Sequence, residues 1–233
     1  MKLPFTLGNK LYQQSFWLYK PLYYHYKRYS DQDKIALLRN QIKPGMRVVD
    51  IGANIGFYTE MFGREVGATG MVYAFEPDKL NFSHLQKIAQ NNIILENKAV
   101  GNSNERIKLY ISDDMNVDHH TYDDGSGREY HEVQAVRIDD YLPDGTSVNV
   151  IKMDIQGYDY FAMLGMQETI KRADDLLLIT EFWPYGLSKA GVDPNDFLEL
   201  ICELGMKYYT MDSDVLRPDD YDFEYYCDLI CTK

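Results

Sequence analysis

From Gly45 onward, short apolar segments of strand length alternate with longer segments of helical periodicity. Repeated strand–helix–strand succession predicts a mostly parallel sheet with helices on both faces, because each parallel crossover needs a helix-length connection. The sequence therefore predicts a doubly wound α/β fold. The elements expected first are strand Arg47–Ile51, helix Phe57–Val66, strand Met71–Phe75, a helix over 79–90 and a strand over 92–100.

The alternation is interrupted after residue 100. Two strands that flank a polar loop are expected to form an inserted β-hairpin, after which the sheet resumes and two antiparallel strands end the chain. In such sheets, ligands bind beyond the carboxyl ends of the strands. The later elements expected are strands 105–112, 132–138 and 148–153, a helix over 158–170, a strand over 176–180, a helix over 194–204 and strands 206–210 and 226–231.

Composition and charge limit the classes of partner. The 233 residues suit one large α/β domain with a short appendage. A formal net charge of −12 disfavours binding to a phosphate backbone, so nucleic acid is not expected as a partner. The three cysteines lack zinc-ligand spacing, no apolar run reaches the length of a membrane span, and no signal-peptide core is evident. A cytoplasmic protein with reduced thiols is expected.

Residues 1–42 differ in composition from the rest, because aromatic side chains alternate there with basic ones. We expect an N-terminal aromatic and basic helical extension over 1–42 and a catalytic domain over 43–233. A helix is expected over 33–41, capped by the turn at 30–33. The aromatics are not expected to lie on one clean helical stripe, which disfavours peripheral contact with a membrane. Packing against the catalytic domain, or against a second subunit in a homodimer, is the favoured interpretation.

The first strand runs into a tight turn that contains one acid and two glycines, followed by a helix. Glycine lets the backbone approach a ligand closely, and the helix N-terminus adds partial positive charge. The turn lacks the Gly-x-Gly-x-x-Gly pattern of dinucleotide sites, and its Asp50 would repel phosphate. It therefore favours a ligand with an ammonium or sulfonium group, such as S-adenosylmethionine, over a turn with a merely structural role.

A second acid, Glu76, follows the next strand at Phe75. A carboxylate at this position can accept hydrogen bonds from paired ribose hydroxyls. The alternative is a favourable interaction with the dipole of the following helix, which Pro77 suits as a first-turn residue. Two acids after successive strands, without a phosphate fingerprint, favour an adenosyl ligand that has no phosphates.

Several segments, in order, resemble the FkbM-type methyltransferases. Val48-Val49-Asp50-Ile51-Gly52-Ala53-Asn54-Ile55-Gly56-Phe57-Tyr58-Thr59 looks like their first motif, and Phe75-Glu76-Pro77 resembles their second. Ile151-Lys152-Met153-Asp154-Ile155-Gln156-Gly157-Tyr158-Asp159 is similar to their Lys-x-Asp-x-Glu-Gly-x-Glu signature, although Gln156 and Asp159 stand where the family has glutamates. The resemblance extends over about 43–211, with related segments at 97–101 and 181–184.

The resemblance implies a class I, Rossmann-like methyltransferase fold, S-adenosylmethionine as cofactor and methyl transfer to oxygen, often on sugars or polyketides. A small-molecule or saccharide acceptor is therefore expected, although the fold does not fix it. The cofactor contacts implied are Asp50, Gly52, Asn54 and Tyr58 at the methionine moiety, Glu76 at the ribose, and Ala99 and Val100 at the adenine.

On the acceptor side, Asp154 is the first candidate to remove the hydroxyl proton, because it follows the strand after the hairpin. A helix-capping role is the alternative. His119, in the polar loop, is a second catalytic candidate because imidazole titrates near neutral pH. Asp154, Glu181 and His119 together also form a candidate divalent-metal site, which depends on a proximity that the sequence does not reveal.

Three further residues are candidates for contact with the acceptor: His120, Glu181 and Trp183. A loop histidine is as readily solvated, and a tryptophan as readily packed, so both roles stay open. Two other functions also stay open. One is a non-catalytic nucleoside-binding scaffold or sensor, and the other is a nucleotide-dependent oxidoreductase, which the missing glycine pattern disfavours.

Overall fold

The computed structural model describes residues 11–12, 15–88, 90–112, 120–122, 125, 127–211, 216, 221 and 225–233. The helices longer than one 3₁₀ turn are α1 Phe16–Ser30, α2 Gln32–Gln41, α3 Phe57–Val66, α4 Lys79–Leu85, α5 Ile138–Tyr141, α6 Asp159–Leu164, α7 Gln167–Arg172, α8 Pro184–Lys189 and α9 Pro194–Glu203. The strands are β1 Arg47–Ile51, β2 Met71–Phe75, β3 Ile93–Glu96, β4 Ala99–Val100, β5 Arg106–Tyr110, β6 Tyr130–Val136, β7 Val150–Met153, β8 Leu177–Phe182, β9 Lys207–Thr210 and β10 Cys227–Thr232.

Seven strands form the main sheet in the order β3-β2-β1-β7-β8-β10-β9. The first five are parallel to their neighbours, and β10 is antiparallel to both β8 and β9. The predicted doubly wound, mostly parallel sheet with an antiparallel C-terminal strand is confirmed. The chain builds outward from β1 in one direction and from β7 in the other, so the switch point lies between these two strands.

Alternate residues along the central strands enter two different cores, as the two-residue period of a strand requires. Val49 and Ile51 of β1 pack on one face of the sheet, with Ile151 of β7. Val48 and Val150 pack on the other face, against α1, α2 and α3. Burial on both faces explains why these strands read as continuous apolar runs in the sequence.

A second, three-stranded sheet contains the predicted hairpin, in which β5 and β6 are antiparallel. The prediction of one strand over 92–100 is wrong, because β3 joins the main sheet whereas β4 pairs with β6. The chain changes sheet at Asn97, whose amide nitrogen donates to the carbonyl oxygens of Glu76 and Pro77 at 2.9 and 3.0 Å. Three consecutive polar residues, Glu96, Asn97 and Lys98, separate the apolar residues of the two strands in the sequence, but they do not show that the second strand joins another sheet.

Two helix predictions also need correction. The helix expected over 158–170 is two helices, α6 and α7, separated at Gly165. A Cβ on Gly165 would lie 1.9 Å from the carbonyl oxygen of Gly101, so the close approach of the hairpin segment requires glycine there. The helix expected over 79–90 ends at Leu85 and continues as one 3₁₀ turn, and α8 was not predicted.

Helix α2 lies where it was expected, but the expected cap is absent, since Asp31 makes no side-chain capping hydrogen bond. The Asp31 carboxylate instead accepts from the Tyr58 hydroxyl at 2.7 Å and lies 2.5 Å from Lys27 Nζ. The charged group is therefore used to fix α1 and α2 onto α3.

Helix α1 has two distinct faces, in contrast to the expectation of no clean stripe. Phe16, Tyr19, Tyr23 and Tyr24 pack against the main α/β fold, and the Phe16 ring stacks on His84 with ring centroids 3.5 Å apart. The Tyr24 hydroxyl and Lys20 Nζ both bond to Glu60 of α3, at 3.0 and 3.3 Å. This segment therefore packs against the main α/β fold, which is one of the two expected arrangements.

Candidate active site

A cavity of about 370 Å³ lies at the carboxyl edge of the sheet, beyond β1, β2, β7 and β8. Ile51, Phe75, Met153 and Thr180 form one row across these four strands. The next residue in each strand or loop faces this edge, and those residues are Gly52, Glu76, Asp154 and Glu181, which all line the cavity. The register of the sheet thus assembles four of the predicted site residues. Tyr23, Tyr26 and Lys27 of α1 line the cavity from the N-terminal segment.

The turn after β1 forms one wall. Gly52 has φ +75°, and a Cβ there would lie 2.1 Å from the carbonyl oxygen of Asp154, so only glycine fits this position. The backbone nitrogens of Gly52 and Ala53 both donate to the carbonyl oxygen of Phe75 at 3.0 Å. Asn54 also has a left-handed backbone, with φ 51°. This turn brings its main chain to the cavity without a bulky side chain in between.

Glu76 is buried and tied to that turn. Its Oε2 accepts from the backbone nitrogen of Asn54 at 2.8 Å, and its Oε1 accepts from that of Asp78 at 2.9 Å. Burial raises the pKa of Glu76 to about 7, against the opposing effect of these two amides. Each carboxylate oxygen retains a further lone pair, so Glu76 can still accept hydrogen bonds from a ligand.

The remaining predicted cofactor contacts differ in placement. Tyr58, Ala99 and Val100 line the cavity. Asp50 does not, because it is fully buried behind the turn, where its Oδ2 accepts from Thr59 Oγ1 at 2.6 Å. Burial raises the pKa of Asp50, although Lys152 and Thr59 oppose the shift. Asp50 is placed to hold the turn in shape.

Lys152 lies in the segment over 151–159 that resembles the family signature, but the sequence alone predicted no role for it. Its side chain is buried, its Nζ donates to the carbonyl oxygen of Gly52 at 3.0 Å, and it lies 3.6 Å from Asp50 and 3.7 Å from Asp154. Burial alone would lower the pKa of Lys152, but the surrounding carboxylates raise it, Asp154 and Asp50 most. A lysine within the otherwise apolar β7 was the signal that could have identified it.

Two acids stand side by side at the β7 and β8 end of the cavity. Burial would raise the pKa of Asp154, but the positive charge of Lys152 outweighs it and holds the pKa below its usual value. Burial, followed by the negative charges of Asp154 and Asp159, raises the pKa of Glu181 well above its usual value. The pair therefore combines an ionised carboxylate with a neighbour that retains a proton more readily.

Two residues that sequence reasoning did not assign complete this end. Gln156 has φ 56°, and its Nε2 lies 3.2 Å from Glu181 Oε2 and 3.4 Å from Asp154 Oδ1. The Tyr226 hydroxyl donates to Glu181 Oε1. Both residues line the cavity and orient the acid pair. Tyr226 directly precedes β10, which pairs with β8 in the sheet. In sequence, however, Tyr226 is forty-five residues away from Glu181, so the sequence alone does not connect the two.

His120 and Trp183 lie outside the cavity lining. The His120 ring stacks on Tyr122 with centroids 4.8 Å apart, and its centroid lies 6.1 Å from that of Trp183. His119 lies outside the described residues. Among the residues with described positions, no group of three or more histidine, cysteine, aspartate or glutamate side chains is arranged to hold a metal ion. The metal site expected from Asp154 and Glu181 thus has no support in this part of the chain.

Residues 50–208 match the family model described as the methyltransferase FkbM domain. The chain belongs to the FkbM methyltransferase family. The match spans both acids of the first two loops and the acid pair at β7 and β8, so the family assignment and the cavity coincide. No curated protein sequence matches the chain.

Two solved structures with TM-scores of 0.50 support the class I, Rossmann-like methyltransferase fold. A putative O-methyltransferase from Klebsiella pneumoniae is 11% identical, with a TM-score of 0.50 over 87% of this chain and 79% of that one. Cofactor-bound Rv0187 from MTB is 12% identical, with a TM-score of 0.50 over 87% and 78%. A SAM-dependent methyltransferase from Aquifex aeolicus is 18% identical, with a TM-score of 0.46 over 86% and 88%.

Proposed function

We propose that this FkbM-family protein uses S-adenosylmethionine to methylate a hydroxyl group of a small molecule, with a saccharide as the favoured acceptor. One observation carries the proposal. One cavity is lined both by a buried carboxyl that can receive ribose hydroxyls, Glu76, and by a carboxyl pair that can receive a proton, Asp154 and Glu181. Glu76 follows the strand on one side of β1, and the pair lies at the carboxyl ends of the strands on the other side. Residues 43–233 would form the catalytic domain, and a cytoplasmic location stays a prediction.

Two features of the turn after β1 support the proposal that the cofactor binds there. The space beside Gly52 admits no side chain, and the main chain at Asn54 meets the cavity. Gly52, Asn54 and Tyr58 would hold the methionine moiety, Glu76 the ribose, and the apolar surface of Ala99 and Val100 the adenine. S-adenosylmethionine supplies, when bound, a methyl group on a positively charged sulfur. Asp50 would contribute indirectly, because it holds Lys152, whose ammonium group fixes the carbonyl of Gly52.

Asp154 is the group that we propose receives the proton of the acceptor hydroxyl. As a hydroxyl oxygen becomes bonded to the methyl carbon, its proton must leave, and a carboxylate within hydrogen-bond reach can take it. Asp154 is held ionised by Lys152 and lines the cavity, so it would accept the proton, with Glu181 as its hydrogen-bonding neighbour. Positioning of the two reactants would supply the larger part of the rate enhancement. No step requires a metal ion.

The cavity walls favour an uncharged, polyhydroxylated acceptor. Tyr23, Tyr26, Tyr158 and Tyr226 present aromatic rings, on which the apolar face of a sugar can stack, together with hydroxyls for hydrogen bonding. The net charge of −12 disfavours nucleic acid. His120 and Trp183 are not among the lining residues, so they would act on the acceptor only through neighbouring residues.

A non-catalytic scaffold is the second candidate, and Gln156 is the observation that favours it. The Gln156 amide occupies hydrogen-bonding positions on both acids, where the family signature has a glutamate. If that amide stayed in place, the protein would bind the cofactor without turnover.

A single assay separates these functions. Purified protein is incubated with S-adenosylmethionine labelled in its methyl group and with panels of saccharides, phenols and amines. We expect label in the saccharide panel, with an Asp154→Asn variant about 10²–10⁴-fold slower. Asp144→Asn, at an exposed position, is the matched control and should keep the full rate. Label in amines alone would contradict hydroxyl methylation. Tight cofactor binding without transfer to any panel would favour the scaffold.

A further inference from the structure

The outward face of α1 is apolar and aromatic, although it faces solvent. At 100° per residue, eight side chains of α1 fall within one half of the helix surface, and all eight are exposed. Trp17, Leu22, Tyr26 and Tyr29 are 74%, 62%, 63% and 79% exposed. The set, termed the outer face, consists of Trp17, Leu18, Pro21, Leu22, His25, Tyr26, Arg28 and Tyr29.

This concentration of apolar surface is specific to α1. Ten large hydrophobic side chains are exposed among the residues that the structure describes, and five of them lie on this helix. Scattered exposed apolar residues are ordinary, but a contiguous patch marks an interaction surface. The outer face is also rigidly presented, because the opposite side of α1 is fixed to α3 by Lys20 and Tyr24 and stacked on His84 by Phe16.

The charge distribution of the sequence indicates what this face meets. The first thirty residues contain five lysine or arginine residues and no aspartate or glutamate, so all thirty-six acidic residues follow Ser30. Lys20 and Lys27 form ion pairs on the inner side of α1, and Arg28 is the exposed cation of the outer face. A segment that carries basic but no acidic residues favours contact with a negatively charged surface. Tryptophan and tyrosine, which the outer face presents, are enriched where proteins meet lipid headgroups.

A second copy of the chain fits less well. A helix of 15 residues is about 22 Å long, and a strip of that length and about 10 Å width offers roughly 220 Å². A stable dimer interface takes about 800 Å² from each partner. Parallel contact between two outer faces would also bring together two copies of Arg28. A lipid surface suits a strip of this size better, because reversible interfacial binding needs only the apolar area of one helix face, supplemented by attraction to anionic headgroups.

We propose that the outer face of α1 docks on an anionic lipid bilayer surface, as a peripheral contact that inserts Trp17, Leu22 and Tyr29 among the headgroups. No helix of the described residues is long and apolar enough to span a membrane. Tyr26 belongs both to the outer face and to the cavity lining, so docking would place the cavity mouth next to the headgroups. This inference does not depend on the chemistry proposed for the cavity.

Vesicle flotation tests the proposal on the full chain. The probes are vesicles of phosphatidylcholine alone and of phosphatidylcholine with one quarter phosphatidylglycerol. The test variant is Trp17→Ser/Leu22→Ser/Tyr29→Ser. The control replaces three exposed apolar residues elsewhere, as Leu80→Ser/Ile94→Ser/Tyr130→Ser. Because all six side chains are exposed, both variants should fold, which circular dichroism checks.

We expect the wild type and the control to float with the anionic vesicles, and less with phosphatidylcholine alone. The test variant should lose more than roughly a hundredfold in vesicle partitioning, since each inserted side chain contributes on the order of tenfold or more. Three results would overturn the proposal: a wild type that does not float with anionic vesicles, a test variant that floats as well as the wild type, or a wild-type dimer by light scattering that the test variant converts to a monomer.

Discussion

The ammonium group of Lys152 lies 3.7 Å from the carboxylate of Asp154, two residues further along the same chain segment. Lys152 is buried, and it also reaches Asp50 and the carbonyl of Gly52. One cation thus connects the turn after β1, where we propose that the cofactor binds, with the acid after β7, where we propose that the acceptor binds. The consequences of this connection are open to direct measurement.

Lys152→Met should destabilise the fold, because it leaves Asp50 buried without its cationic partner. Removal of one member of a buried ion pair costs about 3–5 kcal/mol. Urea unfolding at pH 7 measures the change. Lys171→Met is the matched control, since Lys171 forms an exposed pair with Glu168 and should contribute less than about 1 kcal/mol. Equal effects of the two substitutions would contradict the structural role of Lys152.

Gly52→Ala should abolish cofactor binding, because the new methyl group would lie 2.1 Å from the carbonyl oxygen of Asp154 and the turn must shift. Gly145→Ala is the matched control. Gly145 has a similar φ of +77°, but nothing lies within 4 Å of its Cβ position, so only the backbone strain of about 1–2 kcal/mol applies. Calorimetric titration with S-adenosylhomocysteine compares them. Retained affinity in Gly52→Ala would show that this turn does not hold the cofactor.

Glu76 should make cofactor affinity depend on pH. Its pKa in the folded protein is about 7, and only the ionised carboxylate accepts hydrogen bonds on both oxygens. S-adenosylhomocysteine should therefore bind roughly tenfold more tightly at pH 8 than at pH 6, and Glu76→Gln should remove the difference. The stability of the unliganded fold changes with pH in the opposite direction to the ligand affinity. A carboxyl whose pKa is raised on folding stabilises the fold below its unfolded pKa, and this stability is lost as pH rises through about 7.

An unchanged pH dependence in Glu76→Gln would assign the titration to another group. There are two competitors: Asp159, whose pKa burial raises to about 7 as well, and Glu181, which lines the cavity and whose pKa burial also raises. The Asp159 side chain bonds to Gly157 and Thr180 and does not line the cavity, so an effect through Asp159 should appear in unfolding and not in ligand affinity.

Much of the fold followed from pattern alone. The apolar runs of β1 and β2 and the helix α3 were predicted to the residue, because burial on both sheet faces leaves an unambiguous signal. The division of 92–100 was not predictable, since periodicity does not tell which sheet a strand joins. The break at Gly165 depends on a contact with Gly101, sixty-four residues away. Helix α8 had a signal, Pro184 at its first turn, that was not used.

The site divides in the same way. Glu76 and Asp154 could be predicted because they follow predicted strands and parallel strands end at a common edge. The burial of Asp50 could not be predicted, because a position near the end of a strand does not determine whether the side chain faces the ligand or the core. Tyr23 and Tyr226 come from opposite ends of the chain, and only tertiary packing brings them to the cavity.

Tyr226→Phe should slow methyl transfer about tenfold while leaving S-adenosylhomocysteine affinity nearly unchanged. The Tyr226 hydroxyl donates to Glu181, and loss of one such hydrogen bond is worth about 1–2 kcal/mol. Single-turnover rates with the best acceptor measure the effect. Tyr130→Phe, on the exposed edge of the hairpin, is the control. A loss of cofactor affinity in Tyr226→Phe would show that Tyr226 contributes to the cofactor site, and would contradict its assignment to the acid pair.

The central claim is that the cavity at the carboxyl edge binds S-adenosylmethionine. The most direct measurement is calorimetric titration of wild-type protein with S-adenosylhomocysteine, after mass spectrometry has shown that no ligand copurifies, with Glu76→Ala measured in parallel. The proposed site predicts one bound ligand per chain in the wild type and a loss of affinity in the variant. Folded, ligand-free wild type that does not bind S-adenosylhomocysteine would contradict the claim.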